Sequence, residues 1–261
     1  MDSLRQLWAD GRPVFGGWLS VPSSLSAEVV ARVGFDYVCI DNQHGMHDYA
    51  STATLVQAIL LGGSRPIVRV PWNEPGIIGK VLDAGAQGVI VPMVNTADEA
   101  AAVVRACRYA PQGARSYGPL LAGMRDPEYF ATANDSVAVI PMIETVEAVA
   151  NLDEILAVPG IDAVYVGPAD LSITLGLPPG NPDDDASFAS ALAAVVAACR
   201  RAGVVPGIHA SSALAPRRLE QGFRMITVSA DVVSMRTTMT ADLNAVRGLD
   251  APGSPGSDGY R

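Results

Sequence analysis

Several residue types that often carry function are scarce in this sequence. Only three of its 261 residues are cysteines, and Cys39, Cys107 and Cys199 are widely spaced in apolar segments, so we expect reduced thiols and no zinc site. A formal net charge of −9 gives no electrostatic footprint for binding to nucleic acid or an anionic membrane. No apolar run approaches the roughly 20 residues of a membrane helix, and the N-terminus lacks a signal-peptide core. We therefore expect a cytoplasmic protein.

Apolar sequence, by contrast, is plentiful, since 49% of the residues are hydrophobic. Eight short apolar runs alternate with segments of helical periodicity, as strands buried on both faces of a parallel sheet do. They cover Val14–Leu19, Tyr37–Ile40, Pro66–Val70, Gly88–Pro92, Val137–Ile143, Ala163–Val166, Val204–Ile208 and Met225–Val228. Eight βα units in about 250 residues predict an α/β fold, a single-domain TIM (β/α)8 barrel over residues 1–250. Residues 251–261, rich in Gly, Pro and Ser, are predicted to form a flexible tail.

An open, doubly wound sheet is the alternative architecture. It would require a glycine-rich phosphate fingerprint after the first strand, and Phe15-Gly16-Gly17-Trp18 does not match one. The barrel is therefore favoured.

The sequence also predicts helices and irregular segments between the strands. Either Asn95 or Thr96 caps the helix that follows the fourth strand. The segment 109–136 is expected to be irregular apart from one short helix near residues 127–132. A single helix is predicted over residues 146–156, and a short helical turn over residues 171–175.

The active site of such a barrel lies at the C-terminal ends of its strands. The charged and imidazole side chains at those positions are Asp41, His44, Arg69, Glu144, Asp170 and His209. Each has an ordinary structural interpretation: Arg69 could form an ion pair with Glu144 or Asp170, Asp170 could cap a helix, and the histidines could be loop residues. Their coincidence at one end of one barrel favours a functional site.

The residue types suggest roles within that site. Glu144 and Asp170 are hard oxygen ligands, which suit Mg²⁺ or Mn²⁺ whose coordination is completed by water and an oxygen-rich substrate such as a 2-oxo acid. The metal would stabilise an enolate as a Lewis acid, and Arg69 would stabilise the same developing charge. Both His44 and His209 qualify as the base, and His44 is preferred because Asp41 lies near it in sequence.

Lysine chemistry is excluded. The single lysine, Lys80, lies within a predicted helix rather than at a strand end, so a Schiff base is not expected.

These motifs together resemble the HpcH/HpaI aldolase/citrate lyase family of metal-dependent 2-oxo-acid aldolases. The resemblance spans about Gly16 to Gly248. The motifs that carry it are Asp41-Asn42-Gln43-His44-Gly45, Val68-Arg69-Val70-Pro71, Leu82-Asp83-Ala84-Gly85-Ala86, Pro111-Gln112-Gly113-Ala114-Arg115-Ser116, Ile143-Glu144-Thr145 and Gly167-Pro168-Ala169-Asp170-Leu171-Ser172.

The resemblance implies a modified TIM barrel that assembles as a homohexamer, a dimer of trimers, with an exchanged C-terminal helix. It implies reversible cleavage of a 4-hydroxy-2-oxo acid to pyruvate and an aldehyde, with Mg²⁺, Mn²⁺ or Co²⁺ bound by Glu144 and Asp170. It further implies that His44 is the base, that Arg69 stabilises the oxyanion, and that Asp83 raises the basicity of the histidine. Substrate binding would involve Gly167 and Ala169, the latter through its backbone amide.

Two departures from the family pattern point to an altered substrate pocket. Gln43 precedes the histidine where many members have Glu, and Met142 stands where many have a substrate-binding Gln; a thioether cannot make the hydrogen bonds of an amide. Trp72 and Tyr117 either shape the aldehyde side of the pocket or serve only in packing.

Two other functions stay open. One is a carbon–carbon lyase that uses the same enolate chemistry, such as a citrate-lyase-like enzyme or an oxaloacetate decarboxylase. The other is a non-catalytic barrel that binds a partner.

Overall fold

The structure, a computed structural model, is described for residues 2–247. Eight parallel strands close into a barrel in chain order, with β8 pairing back onto β1. The strands are β1 Val14–Leu19, β2 Tyr37–Asp41, β3 Arg65–Arg69, β4 Gly88–Val91, β5 Ala138–Ile143, β6 Ala163–Val166, β7 Val205–His209 and β8 Met225–Ala230. The predicted TIM-type barrel is confirmed. The predicted tail over residues 251–261 lies outside the described residues.

Helices surround the barrel. Within residues 2–247 they are α1 Leu4–Ala9, α2 Ser24–Ala31, α3 Tyr49–Leu61, α4 Pro75–Asp83, α5 Ala97–Cys107, α6 Leu120–Arg125, α7 Tyr129–Ser136, α8 Val146–Ala150, α9 Leu152–Leu156, α10 Pro168–Thr174, α11 Ala186–Ala202, α12 Ala215–Gln221 and α13 Asp231–Arg247. None of the helices in this range is both long and apolar enough to cross a membrane.

Local chemistry explains why several helices begin where they do. Thr96 caps α5 in a capping box with Glu99, which decides between the two predicted caps. Asp48 caps α3 in the same way, and the Glu74 carboxylate accepts two N–H groups at the start of α4. Pro168, whose backbone has no N–H to satisfy, opens α10.

Three helix predictions were wrong in detail. The segment 109–136 contains two helices, α6 and α7, because α6 ends at Arg125, just ahead of Pro127. The helix predicted over 146–156 divides at Asn151, whose side chain donates to the Asn95 carbonyl at 2.8 Å. The turn predicted over 171–175 is part of α10, which starts three residues earlier and places Asp170 in its first turn.

The apolar core has two parts. The larger part lies between the barrel and the surrounding helices, and the smaller part fills the barrel interior. Alternation along each strand produces this division because successive side chains point to opposite faces. On β2, for example, Val38 and Ile40 pack outward against the helices, whereas Tyr37 and Cys39 pack inside the barrel.

The last helix is attached to its own barrel mainly at its first residue. The Asp231 carboxylate accepts the backbone N–H groups of Ser20 and Val21 at 3.0 Å, which joins α13 to the end of β1. Asp231 is the only buried residue of α13. The apolar side chains farther along this helix are therefore exposed within the single chain.

Candidate active site

Arg69, the last residue of β3, is held inside the barrel by Asp41, the last residue of β2. The two residues are register partners across the β2–β3 ladder. The guanidinium donates Nε to Oδ1 at 2.8 Å and Nη2 to Oδ2 at 2.6 Å, and both side chains are buried. Arg69 also stands 4.9 Å above the Trp18 ring. Its charge is thus fixed in place and orientation. The sequence left open an ion pair of Arg69 with Glu144 or Asp170, and the structure shows an ion pair with Asp41.

Asp41 also shapes the turn that carries His44. Its Oδ1 accepts the backbone N–H groups of Gln43 at 3.1 Å and of His44 at 3.2 Å, and its Oδ2 accepts the Trp18 indole N–H at 3.1 Å. Burial opposes ionisation of Asp41, but the Arg69 guanidinium, followed by the Trp18 and His44 N–H donors, lowers its pKa overall. Asp41 therefore remains ionised and orients the backbone of the His44 turn, while the His44 side chain is exposed.

Glu144 is a buried carboxylate with one oxygen left without a partner. It follows β5 and is 1% exposed. Oε1 accepts the Met93 N–H at 2.7 Å, whereas Oε2 is buried with no hydrogen-bond partner. Burial, opposed by the Met93 N–H and the Arg69 charge and assisted by the nearby Asp170 charge, raises the pKa of Glu144 to about 7. A buried carboxylate oxygen without a donor is costly unless a ligand completes the site.

The close approach of β6 to Glu144 requires a glycine. A Cβ on Gly167 would lie 2.3 Å from Glu144 Oε2 and 2.9 Å from the Met142 methyl group. Gly167 has φ −93°, a conformation open to other residues, so the constraint is steric. The chain then turns into α10, which presents Asp170 in its first turn beside Glu144.

The donor set of this site suits a divalent cation. Among residues 2–247 no three His, Cys, Asp or Glu side chains converge on one point, so the protein would supply the two carboxylates alone. Two carboxylate ligands with coordination completed by water and substrate are typical of Mg²⁺ and related hard ions. The unpartnered Oε2 of Glu144, next to Asp170, is the observation that fits such an ion.

His209 ends β7 and forms part of the same strand-end pocket, which is lined by Trp18, Arg69, Met142, Ala169, Asp170, Asn181, His209 and their neighbours. Its ring meets the Trp18 ring edge to face at 5.0 Å. Burial, together with the Arg69 charge, lowers the pKa of His209 to about 4, with Asp41 opposing. A histidine of that basicity is a poor base at neutral pH, which favours His44 as the sequence does.

Two further pocket residues, Trp18 and Asn181, were not singled out from the sequence. Trp18 packs between Arg69, Tyr165 and His209. The one feature of the sequence that could have indicated its place in the pocket is the pair of glycines that precedes it. Asn181 lies in the loop after α10 and is held by Arg218, a fully buried residue on α12. No local pattern links residues 181 and 218, so only the fold reveals their contact.

Three predicted residues lie apart from this pocket. Trp72 is 58% exposed. Tyr117 packs in an aromatic cluster with Tyr109 and Phe130. Asp83 ends α4, which runs back from the strand ends, so within this chain it lies at the other end of the barrel from His44 and accepts from Arg115 at 2.7 Å. The functional roles of Trp72 and Asp83 stay predictions.

The model of the HpcH/HpaI aldolase/citrate lyase family matches residues 15–238. The chain belongs to this family. A hydroxypyruvate/pyruvate aldolase from Rhizorhabdus wittichii is 43% identical over 237 residues, covering 90% of this chain and 94% of that protein. A 4-hydroxy-2-oxo-heptane-1,7-dioate aldolase from Salmonella arizonae is 46% identical over 226 residues, 85% of each chain.

A solved HpcH/HpaI family structure extends the likeness to three dimensions. The protein from Burkholderia cenocepacia has a TM-score of 0.88 and 38% identity, covering 95% of this chain and 100% of that one. The family resemblance drawn from the sequence motifs is thereby confirmed, and the aldolase relatives support a carbon–carbon lyase.

Proposed function

We propose that this protein is a divalent-metal-dependent aldolase that cleaves a 4-hydroxy-2-oxo acid reversibly to pyruvate and an aldehyde. The observation that carries the proposal is the buried, unpartnered Glu144 Oε2 beside Asp170, in a pocket that also contains the fixed charge of Arg69. Glu144 and Asp170 would hold the ion, which supplies Lewis acidity toward the oxygen atoms of the substrate. Mg²⁺, Mn²⁺ and Co²⁺ are the candidate ions.

The residues of the chain have distinct tasks in the cleavage direction. A base removes the proton of the C4 hydroxyl, the C3–C4 bond breaks to release the aldehyde, and the electron pair is left on the three-carbon enolate. A proton is then added to C3 to give pyruvate. We assign the base to His44, which follows β2 in the turn that Asp41 orders. Arg69 stabilises the negative charge on the enolate oxygen without having to reorganise, because Asp41 already fixes its guanidinium.

The carboxylate of the 2-oxo acid has a place at the start of α10. Gly167 leaves room beside Glu144, and Ala169 lines the same pocket, so we assign the carboxylate to its backbone amide. The name of the Rhizorhabdus relative suggests that hydroxypyruvate should be tested with pyruvate as the three-carbon component.

Exchange of the pyruvate C3 protons with D₂O tests the proposal, because exchange reports enolate formation without any aldehyde. We expect exchange that depends on Mn²⁺, Mg²⁺ or Co²⁺ and stops on chelation. When an aldehyde is supplied, we expect its aldol addition to pyruvate. Absence of exchange with all three ions would overturn the aldolase proposal. If the protein exchanges the pyruvate protons and releases CO₂ when oxaloacetate is supplied, but forms no aldol product with any aldehyde, the decarboxylase alternative would be favoured.

Substitution of Glu144 tests the metal site separately from catalysis. Glu144→Gln should weaken Mn²⁺ binding, measured by calorimetry, and abolish exchange. Glu147→Gln is the matched control, because Glu147 lies one turn away and is exposed. Unchanged Mn²⁺ affinity in Glu144→Gln would remove Glu144 from the metal site.

The base is tested by His44→Ala. This variant should slow aldol cleavage far more than it weakens Mn²⁺ binding. Parallel losses of both would make His44 a metal ligand instead of the base.

We further propose that the chain assembles as a homohexamer, a dimer of trimers, through exchange of α13. The support is an exposed apolar stripe at helical spacing, formed by Val232, Met235, Met239, Leu243 and Val246. Light scattering after size exclusion should give six chains for the wild type and fewer for Met239→Glu. Thr237→Glu, a substitution on the opposite face of the helix, is the control; a monomeric wild type would refute the assembly.

A further inference from the structure

The loop that follows α10 forms one wall of the strand-end pocket through Pro179, Gly180 and Asn181. It is tied to α10 by two hydrogen bonds. The backbone N–H of Gly180 donates to Ser172 Oγ at 3.1 Å, and the Ser172 hydroxyl donates to the Ala169 carbonyl at 2.8 Å. Ser172 is fully buried. The loop is thus fixed to the same helix whose first turn carries the second proposed metal ligand.

Arg218 ties the loop to α12 and fixes the orientation of the Asn181 side chain. Its Nη2 donates to Asn181 Oδ1 at 2.9 Å and to Asp183 Oδ1 at 2.7 Å, and its Nη1 donates to Gln221 Oε1 at 2.8 Å. A guanidinium has donors only, so it must face the oxygen of the Asn181 amide and not the nitrogen. The two ends of a carboxamide diverge, so Nδ2 is directed away from the buried guanidinium.

The nitrogen of the Asn181 amide is a neutral donor at the pocket. Asn181 is half-buried, and among residues 2–247 its Nδ2 has no hydrogen-bond acceptor. The Arg218 charge behind it is compensated by Asp183, at 2.7 Å. A neutral N–H group suits a hydroxyl or ether oxygen, whereas a second carboxylate is better bound by a cation. The chemistry of this wall therefore favours an uncharged oxygen acceptor.

The proposed function leaves one half of the substrate without a polar partner. The carboxylate and keto oxygens of the 2-oxo acid are assigned to the ion, to Arg69 and to the Ala169 amide. Arg69 and Glu144 lie at strand ends and are 5% and 1% exposed, whereas Asn181 is half-buried in a loop. Asn181 therefore meets the part of the substrate that lies farther from the strand ends, which is the aldehyde component.

We propose, on the basis of the function above, that Asn181 Nδ2 donates a hydrogen bond to a hydroxyl or ether oxygen of the aldehyde component and so selects oxygen-bearing aldehydes over apolar ones. Arg218 is the positioning residue, because it binds the amide oxygen and leaves the nitrogen for the substrate. A binding site built to pair a substrate oxygen disfavours the analogue that lacks it, since the donor then loses its partner.

Methoxyacetaldehyde and butanal form the matched pair of substrates for the test. They differ by an ether oxygen in place of a methylene group, and an ether oxygen can only accept a hydrogen bond. The measurement is kcat/KM for aldol addition to pyruvate with Mn²⁺. Because the two aldehydes differ in intrinsic reactivity, the change in their ratio between wild type and variants is compared. Pyruvate C3 exchange is measured in the same samples to follow the other half of the reaction.

Two substitutions remove the donor in different ways. Asn181→Asp keeps the oxygen that faces Arg218 and replaces the donor with an acceptor. Asn181→Ala removes the donor without adding a charge. The matched control is Gln57→Glu, which makes the same change from amide to carboxylate at an exposed position on α3.

We expect both Asn181 variants to lower the ratio of methoxyacetaldehyde to butanal by about 3- to 10-fold, the contribution of one neutral hydrogen bond. The loss should fall mainly on the KM of methoxyacetaldehyde, while C3 exchange and its pyruvate KM stay unchanged. Gln57→Glu should leave the ratio unchanged. Arg218→Lys keeps a cation beside Asp183 but loses the forked geometry, so it should shift the ratio in the same direction by a smaller factor.

Three results would overturn the role of Asn181. An unchanged ratio in both variants, whether activity is kept or falls equally with the two aldehydes, would make it a structural residue only. A rise in the pyruvate KM of exchange as large as the loss of addition would move its contact to the three-carbon component. Either result, with exchange intact in wild type, would leave the aldolase proposal standing, whereas a wild type without exchange would overturn both.

Discussion

Asp41 binds the Arg69 guanidinium at two points, Nε to Oδ1 at 2.8 Å and Nη2 to Oδ2 at 2.6 Å, with both side chains buried. The same carboxylate accepts the backbone N–H of His44. One acid thus positions both groups that the proposed mechanism needs, the fixed cation and the turn that bears the base. Asp41 acts through its neighbours, as a positioning residue.

Asp41→Asn should therefore impair activity and stability together. The substitution leaves the Arg69 charge buried without its counter-charge, for which a loss of about 3–5 kcal/mol in the free energy of unfolding is typical. We expect kcat/KM to fall by roughly 100-fold through the displaced guanidinium. Urea unfolding and steady-state kinetics are the measurements.

The control for Asp41 is Asp153→Asn. It breaks an ion pair with Arg201 in which the two side chains are 77% and 62% exposed, so a change below about 1 kcal/mol is expected. Equal effects of the two substitutions would contradict the structural importance of the buried pair.

Gly167→Ala should damage the metal site without strain in the backbone. The added Cβ would lie 2.3 Å from Glu144 Oε2, so the carboxylate must move. We expect Mn²⁺ affinity, measured by calorimetry, to weaken by about 10- to 100-fold, the range seen when groups around a ligand are disturbed. Gly79→Ala, within α4 and with open space at its Cβ position, is the control and should leave affinity unchanged.

Metal binding should depend on the protonation of Glu144. Its pKa of about 7 lies within the assay range, and the ion must displace the proton. The apparent Mn²⁺ affinity should therefore rise about tenfold per pH unit between pH 5 and 7 and level off above pH 7. A titration curve that is flat from pH 5 to 8 would contradict a raised pKa at this ligand.

The same shift predicts how the metal-free protein responds to pH. The pKa of Glu144 is raised from 4.5 to about 7 in the folded state, so the folded state binds the proton more tightly than the unfolded state. The contribution of Glu144 to the free energy of unfolding is therefore largest below about pH 4.5. It falls by on the order of 3 kcal/mol as the pH rises through 7. Urea unfolding of wild type and Glu144→Gln in chelator, at several pH values, isolates the contribution.

Arg218→Met should loosen the pocket wall that contains Asn181. Arg218 is fully buried and its Nη2 donates to Asn181 Oδ1 at 2.9 Å and to Asp183 Oδ1 at 2.7 Å. Loss of the guanidinium leaves the largely buried Asp183 carboxylate with only the half-exposed Arg217 as its cationic partner, which should lower the free energy of unfolding by about 3 kcal/mol. The substrate KM should also rise, because the loop that bears Asn181 loses its anchor.

A neighbouring arginine provides the matched control. Arg217 also contacts Asp183, at 3.3 Å, but its side chain is 48% exposed. Arg217→Met should cost less than about 1 kcal/mol and leave KM unchanged. A larger effect at Arg217 than at Arg218 would show that burial does not govern this pair of contacts.

Sequence alone determined the barrel, because each of its signals is local. Apolar runs buried on both faces, followed by helical periods and caps such as Thr96, are read within a few residues of one another. The rule that function lies at strand ends then placed Asp41, Arg69, Glu144 and Asp170 at one end of the barrel before any contact was known.

The tertiary structure alone decided which of those residues interact. Register across β2 and β3 paired Arg69 with Asp41 instead of Glu144 or Asp170, and the close approach of Gly167 and Met93 left one oxygen of Glu144 buried without a donor. Burial separated the two histidine candidates by lowering the pKa of His209. Pairing, desolvation and steric contact join residues distant in sequence, so they follow only from the folded chain.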